Sequence, residues 1–245
     1  PAIGRWTAQD PLSEKYYSYS PYGYCVNSPS NTIDIEGNLV IFINGFWYNP
    51  IEAGTPKYWG DFDDKVMTKF NDHNSLYLDG SIGGIFNLKM NLLPFMRFYV
   101  GYGNGAMNAK QIFENLARDS NGNIVETIKI ITHSMGSVYA KGFFQALLDY
   151  MESHPGQYNG LSITEYDFAP FQPQSYSART SDTNQYSHEN DIFAGDKRIS
   201  GANKMETSTS GDDKHSIAHY LQYIINLPQG RYVYMNGEWI EKEEQ

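Results

Sequence analysis

Short apolar runs separated by polar turn residues recur along the chain from residue 39 onward. Residues 39–43 form a continuous apolar run that stops at Asn44-Gly45. Residues 126–132, with Ile128, Ile130 and Ile131, and residues 161–168 predict two further strands. Continuous runs of this length are typical of strands that are buried on both faces of a parallel sheet.

Segments with apolar residues at helical spacing lie between and after these runs. Residues 104–118 and 135–150 predict helices. Residues 215–227 predict a closing helix with four apolar side chains directed inward, those of Ile217, Leu221, Ile224 and Ile225. Because predicted strands and helices alternate, we expect an α/β fold, a mostly parallel sheet flanked by helices. The segments rich in Ser, Thr, Asn and Gly predict loops, and the acidic C-terminal residues predict a solvated tail; these are residues 172–187, 199–214 and 238–245.

The first 37 residues have a different pattern. They are rich in Tyr, Pro, Ser and Asn and lack regularly spaced aliphatic side chains. Such a segment predicts an extended N-terminal arm laid over another surface, or a partly ordered leader. The chain starts at Pro1 without a signal-peptide pattern, so we expect it to be a piece of a longer protein.

Charge and composition narrow the function classes. The chain of 245 residues has 18 basic and 28 acidic residues and a net charge of −10. This charge excludes binding of nucleic acid by the chain as a whole, because such binding needs clustered Lys and Arg. A single cysteine, Cys25, excludes an internal disulfide framework and a cysteine-built zinc site. Residues 82–100 are apolar, but Lys89 and Arg97 make them a poor transmembrane helix. We expect this stretch to be core, or an apolar flap forming an acyl channel with Trp47 and Trp59.

The clearest chemical signal is the sequence Thr-His-Ser-Met-Gly at residues 132–136, between a predicted strand and a predicted helix. A serine on such a tight turn has its hydroxyl lifted off the sheet edge, and small neighbours such as Gly136 allow close packing. The helix that follows directs N–H groups toward a developing oxyanion. Thr132 stands where glycine is usual. Ser134 is therefore the predicted nucleophile, the alternative being an ordinary serine N-cap.

A nucleophilic serine needs a histidine base that is oriented by a carboxylate. We predict His215 as the base, because it follows a polar loop and precedes a helix, with His219 one turn later as the alternative. For the acid we favour Asp191, in a predicted short strand at residues 188–194, over Asp167 near the end of an earlier strand.

Two backbone amides are needed to bind the oxyanion. We predict the amide of Met135, directly after the nucleophile, and the amide of Phe46, in the loop that follows the first buried strand. Gly45 in that loop lets the chain approach the substrate closely. This chemistry requires no metal and no organic cofactor.

The N-terminal residues resemble a known module. GRWTAQDPL (residues 4–12), the tyrosine-rich run and NSPSNTIDIEG (residues 27–37) are similar to the C-terminal end of the RHS-repeat-associated core of polymorphic toxins. That module closes a shell of β-strands, and a variable effector normally follows it. The resemblance implies that residues 1–37 are the end of an RHS core and that residues 38–245 are the effector domain.

The rest of the chain resembles a lipase-type α/β hydrolase, in particular class 3 lipases. The likeness covers the serine turn, residues 168–171, residues 190–193 and the final histidine-containing helix. It implies an α/β-hydrolase-like fold with Ser134 as nucleophile, Asp191 as orienting acid and His215 as general base.

These observations predict a serine ester hydrolase, a lipase or phospholipase acting as the toxin of an RHS protein. The resemblance implies a lipid or ester substrate, contact with a membrane surface, an immunity protein as partner, and secretion or delivery to a target cell as part of a larger RHS protein. Two alternatives stay open at this point: an inactive binding or structural module of an RHS assembly, and a hydrolase of small soluble esters or amides.

Overall fold

The computed structural model describes residues 39–49, 51–70, 72, 74–82, 93–118, 122–158, 161–194, 197–206, 215–228, 232–235 and 238–241. The predicted N-terminal arm, with its RHS-like residues 1–37, lies outside the described residues. The centre of the predicted flap, residues 83–92, also lies outside them.

A six-stranded, all-parallel sheet forms the centre of the protein, with strand order β2-β1-β3-β4-β5-β6. The strands are β1 (Leu39–Asn44), β2 (Asn74–Asp79), β3 (Ile128–His133), β4 (Ile163–Phe168), β5 (Thr183–Ser187) and β6 (Asn203–Glu206). The predicted α/β fold with a parallel sheet flanked by helices is confirmed.

Three α-helices and three 3-10 helices are described. The α-helices are α1 (Phe62–Phe70), α2 (Pro94–Glu114) and α3 (Gly136–Glu152), and the 3-10 helices are Pro56–Tyr58, Pro173–Ser175 and Ile217–Asn226. A separate antiparallel hairpin joins β7 (Tyr232–Met235) to β8 (Glu238–Glu241). None of the described helices combines the length and apolar character needed to cross a bilayer.

The alternation of side chains along β1 divides the core into two layers. Leu39, Ile41 and Ile43 pack on one face with residues of α2 and α3. Val40 and Phe42 pack on the opposite face with residues of α1 and of the 3-10 helix Ile217–Asn226. Since successive side chains of a strand point to opposite faces, a strand that is apolar throughout must be covered on both sides.

Several elements that the sequence did not predict are polar strands. β5 and β6 lie within predicted loops, so the loop prediction is wrong there, and β8 lies within the predicted C-terminal tail. β5 is buried despite its polar sequence, and Gln185 makes buried hydrogen bonds there. The Gln185 amide donates to Ser187 Oγ at 2.8 Å, and its oxygen accepts from the Ile199 amide at 2.7 Å.

The closing segment and the acid segment also differ from expectation. Residues 217–226 form a 3-10 helix, and the Ile225 side chain is 73% exposed, so the prediction that it faces inward is wrong. No strand covers residues 188–194. Asp191 instead lies in a turn that follows β5.

α2 begins at Pro94, ten residues before the predicted helix start, and runs through three glycines. All three glycines weaken local helix propensity, but two of them, Gly101 and Gly105, bring the helix close to α3. A Cβ atom built on Gly101 would lie 2.0 Å from the Tyr139 carbonyl oxygen, and one built on Gly142 of α3 would lie 1.9 Å from the Phe98 carbonyl oxygen. The tertiary contact therefore overrides the local preference.

This packing predicts opposite effects for two neighbouring glycines of α2. Gly101→Ala should destabilise the protein by about 1–3 kcal/mol or more, because its methyl group meets backbone that cannot move aside. Gly103→Ala should stabilise it by about 0.5–1 kcal/mol, because a Cβ there meets nothing within 4 Å and alanine favours the helix. Urea unfolding of both variants measures the difference, and equal effects would contradict the close packing of α2 on α3.

Candidate active site

Ser134 lies on the turn between β3 and α3, with its backbone in the left-handed region at φ 55°. That conformation is costly for a residue with a Cβ and is held here by neighbouring backbone. The Ser134 amide donates to the Phe168 carbonyl at 3.0 Å, and the Phe171 amide donates to the Ser134 carbonyl at 3.1 Å. Met135, not Ser134, is the N-cap of α3 and makes no side-chain cap bond. The alternative of a simple serine cap is therefore not observed.

The turn fits only small residues on its inner side. A Cβ atom on Gly45 would lie 2.7 Å from Ser134 Cβ, and one on Gly136 would lie 2.4 Å from the Ile43 carbonyl oxygen. Thr132, in the position where glycine is usual, lies in β3, and hydrogen bonds of its side chain hold it in place. Its hydroxyl donates to Asp167 Oδ1 at 2.6 Å and lies 2.7 Å from Ser137 Oγ.

The structure brings the three predicted triad residues together. His215 Nε2 lies 2.8 Å from Ser134 Oγ, and His215 Nδ1 lies 2.8 Å from Asp191 Oδ2. The other Asp191 oxygen accepts the amides of Phe193 and Ala194 at 2.8 and 3.0 Å. Since this carboxylate can only accept while ionised, Nδ1 of His215 carries a proton and Nε2 faces the serine hydroxyl. Their catalytic roles stay a prediction.

The environment of Asp191 keeps it ionised. Burial raises the pKa of the Asp191 carboxyl, but the hydrogen bonds from His215 and from the Ala194 and Phe193 amides outweigh burial, so the pKa lies below its ordinary value. A carboxylate held in this way can orient a neighbouring imidazole and stabilise its positive charge.

The alternative acid, Asp167, is engaged elsewhere. Its Oδ2 lies 2.6 Å from Lys141 Nζ, and Lys141 also pairs with Glu165 at 2.7 Å. All three side chains are fully buried beneath the serine turn. The alternative base, His219, is also directed elsewhere, with its ring 5.9 Å from the ring of His188. The described bonds therefore connect neither alternative to Ser134.

The loop after β1 is organised by Asn44. Its side-chain nitrogen donates to the Gly45 carbonyl at 2.7 Å, and its oxygen accepts the Gly54 amide at 2.7 Å. Within the described part of the chain, the amides of Phe46 and Met135 make no hydrogen bond to a protein acceptor. Both are therefore available to bind an oxyanion, which remains a prediction for each of them.

A buried pair next to the triad, His133 and Tyr58, has no signature in the sequence. His133 Nε2 lies 2.7 Å from the His215 carbonyl oxygen, and His133 Nδ1 is hydrogen-bonded to the Tyr58 hydroxyl. Burial, and after it the proximity of His215, lowers the pKa of His133 to about 3. The two partners are 75 residues apart, and no spacing rule links them.

Exposed apolar side chains lie on two loops that carry site residues. Tyr48 and Ile51 follow β1 and are 88% and 85% exposed, whereas Ile192 and Phe193 directly follow Asp191 and are 89% and 56% exposed. The Phe193 ring lies 5.0 Å from the ring of His215. We call these four residues the apolar rim.

The expected contribution of Trp59 to an acyl channel is wrong. Its side chain is 2% exposed and packs in the core, with its ring 5.2 Å from Phe42 and 5.9 Å from Phe62. Trp47 is partly buried, and its ring packs on Tyr58 at 5.1 Å. The indole of Trp59 therefore packs against β1 and α1 in the core.

In the residues that the structure describes, no three His, Cys, Asp or Glu side chains come together as candidate metal ligands. No family model, no curated protein and no solved structure matches the chain.

Proposed function

We propose that this protein is a serine ester hydrolase. The observation that carries the proposal is the continuous chain of hydrogen bonds from Ser134 Oγ through His215 to Asp191, with both bonds at 2.8 Å. A nucleophile, its base and an orienting carboxylate in this order are the components that acyl transfer through serine needs.

The geometry supports a two-step reaction. Ser134 Oγ attacks the ester carbonyl carbon while its proton passes to His215 Nε2, and the amides of Phe46 and Met135 bind the oxyanion. The tetrahedral intermediate collapses, the alcohol leaves with the proton from His215, and an acyl-enzyme remains. Water then gives its proton to His215 and attacks the acyl carbon. Release of the acid returns the proton to Ser134.

The substrate class that we propose is a lipid ester. The apolar rim presents large exposed side chains on the loops that carry Asp191 and the candidate oxyanion amide of Phe46. Exposed apolar groups that surround a polar site favour binding of an acyl chain or a lipid surface.

The RHS-like N-terminal residues favour a particular biological setting for this activity. We propose a phospholipase or lipase effector that is secreted or delivered to a target cell within a larger RHS protein. It would act at the target's membrane surface, and an immunity protein would cover the site in the producing cell. This setting rests on the family resemblance alone.

A fluorophosphonate probe tests the proposed chemistry, because it reacts with activated serines. The folded wild-type chain should be labelled, and peptide mass mapping should place the label on Ser134. Ser134→Ala should abolish labelling, and Ser137→Ala should retain it, because Ser137 Oγ faces Thr132 in the core. A folded wild-type chain without label would favour a non-catalytic binding module.

Ester chain length tests the substrate class. Hydrolysis of p-nitrophenyl esters should rise from acetate to longer acyl chains, and it should increase further when the substrate forms micelles. Ile192→Ser in the apolar rim should reduce hydrolysis of the long-chain ester about tenfold and leave the acetate rate nearly unchanged, since one lost apolar contact is worth roughly 1–3 kcal/mol. Equal losses on both esters would favour small soluble substrates.

A further inference from the structure

A buried chain of hydrogen bonds connects the loop after β1 with the candidate base. The Gly45 amide donates to the Tyr58 hydroxyl at 3.2 Å, and the Tyr58 hydroxyl is bonded to His133 Nδ1. At its other end, His133 Nε2 lies 2.7 Å from the backbone carbonyl oxygen of His215. Four residues from four separate segments are thereby linked.

The chemistry of the groups determines the direction of every bond in this chain. The His215 carbonyl can only accept, so His133 Nε2 must carry a proton and donate. Burial keeps the His133 ring neutral, so its Nδ1 has no proton and must accept from the Tyr58 hydroxyl. The Tyr58 oxygen is then free to accept from Gly45. The Tyr58 hydroxyl and the His133 ring each donate once and accept once, which leaves one arrangement of the protons.

The surroundings hold this chain in place. Tyr58 and His133 are 7% and 5% exposed, and the Tyr58 ring packs edge-on against both Trp47 and Trp59. Burial raises the pKa of Tyr58, so the hydroxyl keeps its proton. Buried, fully paired networks of this kind restrict the positions of the groups that they join.

We propose that Tyr58 and His133 are positioning residues that hold the base His215 and the candidate oxyanion loop at Gly45 in register with Ser134. The hydrogen bond from His133 fixes the backbone of His215. The Tyr58 hydroxyl fixes the amide of Gly45, the residue before Phe46. Neither touches the reacting atoms. This inference rests on the proposed function, because it assigns to both residues a role in serving that site.

Removing the hydroxyl from Tyr58 tests the link with little change in packing. Tyr58→Phe keeps the ring but breaks the bonds to Gly45 and His133. It should slow fluorophosphonate labelling about 10- to 100-fold and lower kcat on p-nitrophenyl esters with little change in KM, since small misplacements of catalytic groups are costly. The matched control is Tyr166→Phe, which also removes a buried hydroxyl bond, here to the Pro228 carbonyl. It should cost stability without slowing labelling.

Variants of His133 divide the link into its two halves. The terminal amide of glutamine reaches the position of Nε2, so His133→Gln should still donate to the His215 carbonyl and should recover most of the rate. His133→Phe fills similar space without a donor and should lose as much rate as Tyr58→Phe. Thermal melting of every variant separates slow labelling from unfolding. This comparison also remains informative if Tyr58→Phe does not fold.

Nitrogen-15 NMR of the histidine rings gives a readout that does not depend on activity. In the wild-type chain His133 should be neutral with its proton on Nε2, and the His215 ring signals should shift in Tyr58→Phe but not in Tyr166→Phe. If Tyr58→Phe labels at the wild-type rate, or if both tyrosine variants slow equally, the positioning role is overturned. If the wild-type chain does not label at all, the proposed function fails. In that case shifted His215 signals in Tyr58→Phe still support the positioning role, and unshifted signals overturn it.

Discussion

Asp191→Asn is expected to lower kcat for ester hydrolysis by roughly 10⁴-fold while leaving the fold intact. The reason lies in the two amides of Phe193 and Ala194, which donate to Asp191 Oδ1. They would hold the asparagine oxygen on their side and turn its NH₂ group toward His215 Nδ1. His215 Nδ1 would then have to accept a hydrogen bond, and Nε2 would carry the proton. A protonated Nε2 on a neutral ring cannot take the proton from Ser134.

The control for this prediction is Asp167→Asn, at the alternative acid. Asp167 bonds to Lys141 and Thr132, so its replacement should leave the rate within a few-fold of wild type. Steady-state kinetics on p-nitrophenyl esters measures both variants. A large loss with Asp167→Asn and a small one with Asp191→Asn would reverse the assignment of the orienting acid.

Lys141→Met is expected to destabilise the protein by about 3–5 kcal/mol, a large part of the roughly 5–15 kcal/mol that holds a typical domain folded. Lys141 is fully buried and pairs with both Glu165 and Asp167, at 2.7 and 2.6 Å. Removing the ammonium leaves two buried carboxylates without the cation that contacts both of them. Methionine has a similar length, so the lost packing is small.

The destabilisation should grow with pH. Burial, followed by the charge of Asp167, raises the pKa of Glu165 to about 7, above its ordinary value near 4.5. A carboxyl group whose pKa is raised on folding binds more protons in the folded state, so the free energy of unfolding falls as the pH rises through this range. Without Lys141 this fall should be steeper. Urea unfolding at pH 5 and pH 8 measures it.

A compensated variant separates charge from packing in this prediction. Lys141→Met combined with Glu165→Gln and Asp167→Asn removes all three charges and should recover most of the lost stability, at least at pH 8. If the triple variant is no more stable than Lys141→Met, packing around Lys141 rather than unpaired charge causes the loss.

Two buried polar clusters beside Ser134, one around Thr132 and one around His133, could not be predicted from the sequence. Thr132 reads as a departure from the usual glycine of a serine turn, but in the structure it joins Asp167 to Ser137. His133 directly precedes Ser134 in the sequence, and its side chain connects Tyr58 to His215. The bonds from Thr132 to Asp167 and from Tyr58 to His133 span 35 and 75 positions. Contacts over such separations leave no periodic pattern in the sequence, so neither role could be predicted.

The secondary structure, too, could be predicted from the sequence only in part. β1, β3 and β4 could be predicted within two residues at either end, because β-branched and aromatic side chains recur in each of them. β5 could not, because partners of its buried polar side chains, such as Glu165 for Thr183 and Ile199 for Gln185, come together only after the sheet has formed. The start of α2 at Pro94 could not be predicted, because its glycines lower the helix propensity. Gly101 and Gly105 are instead suited to the close contact with α3.

By itself the sequence determined the parallel α/β architecture and the serine turn between β3 and α3, because these depend on local patterns of apolar and small residues. It also limited the base and the acid to a few histidines and aspartates. The tertiary structure alone decided that Asp191 rather than Asp167 stands behind His215, and that Tyr58 and His133 join the two sides of the site. Those assignments depend on which segments, distant in the sequence, come together at the carboxyl edge of the sheet. Local sequence patterns do not predict such contacts.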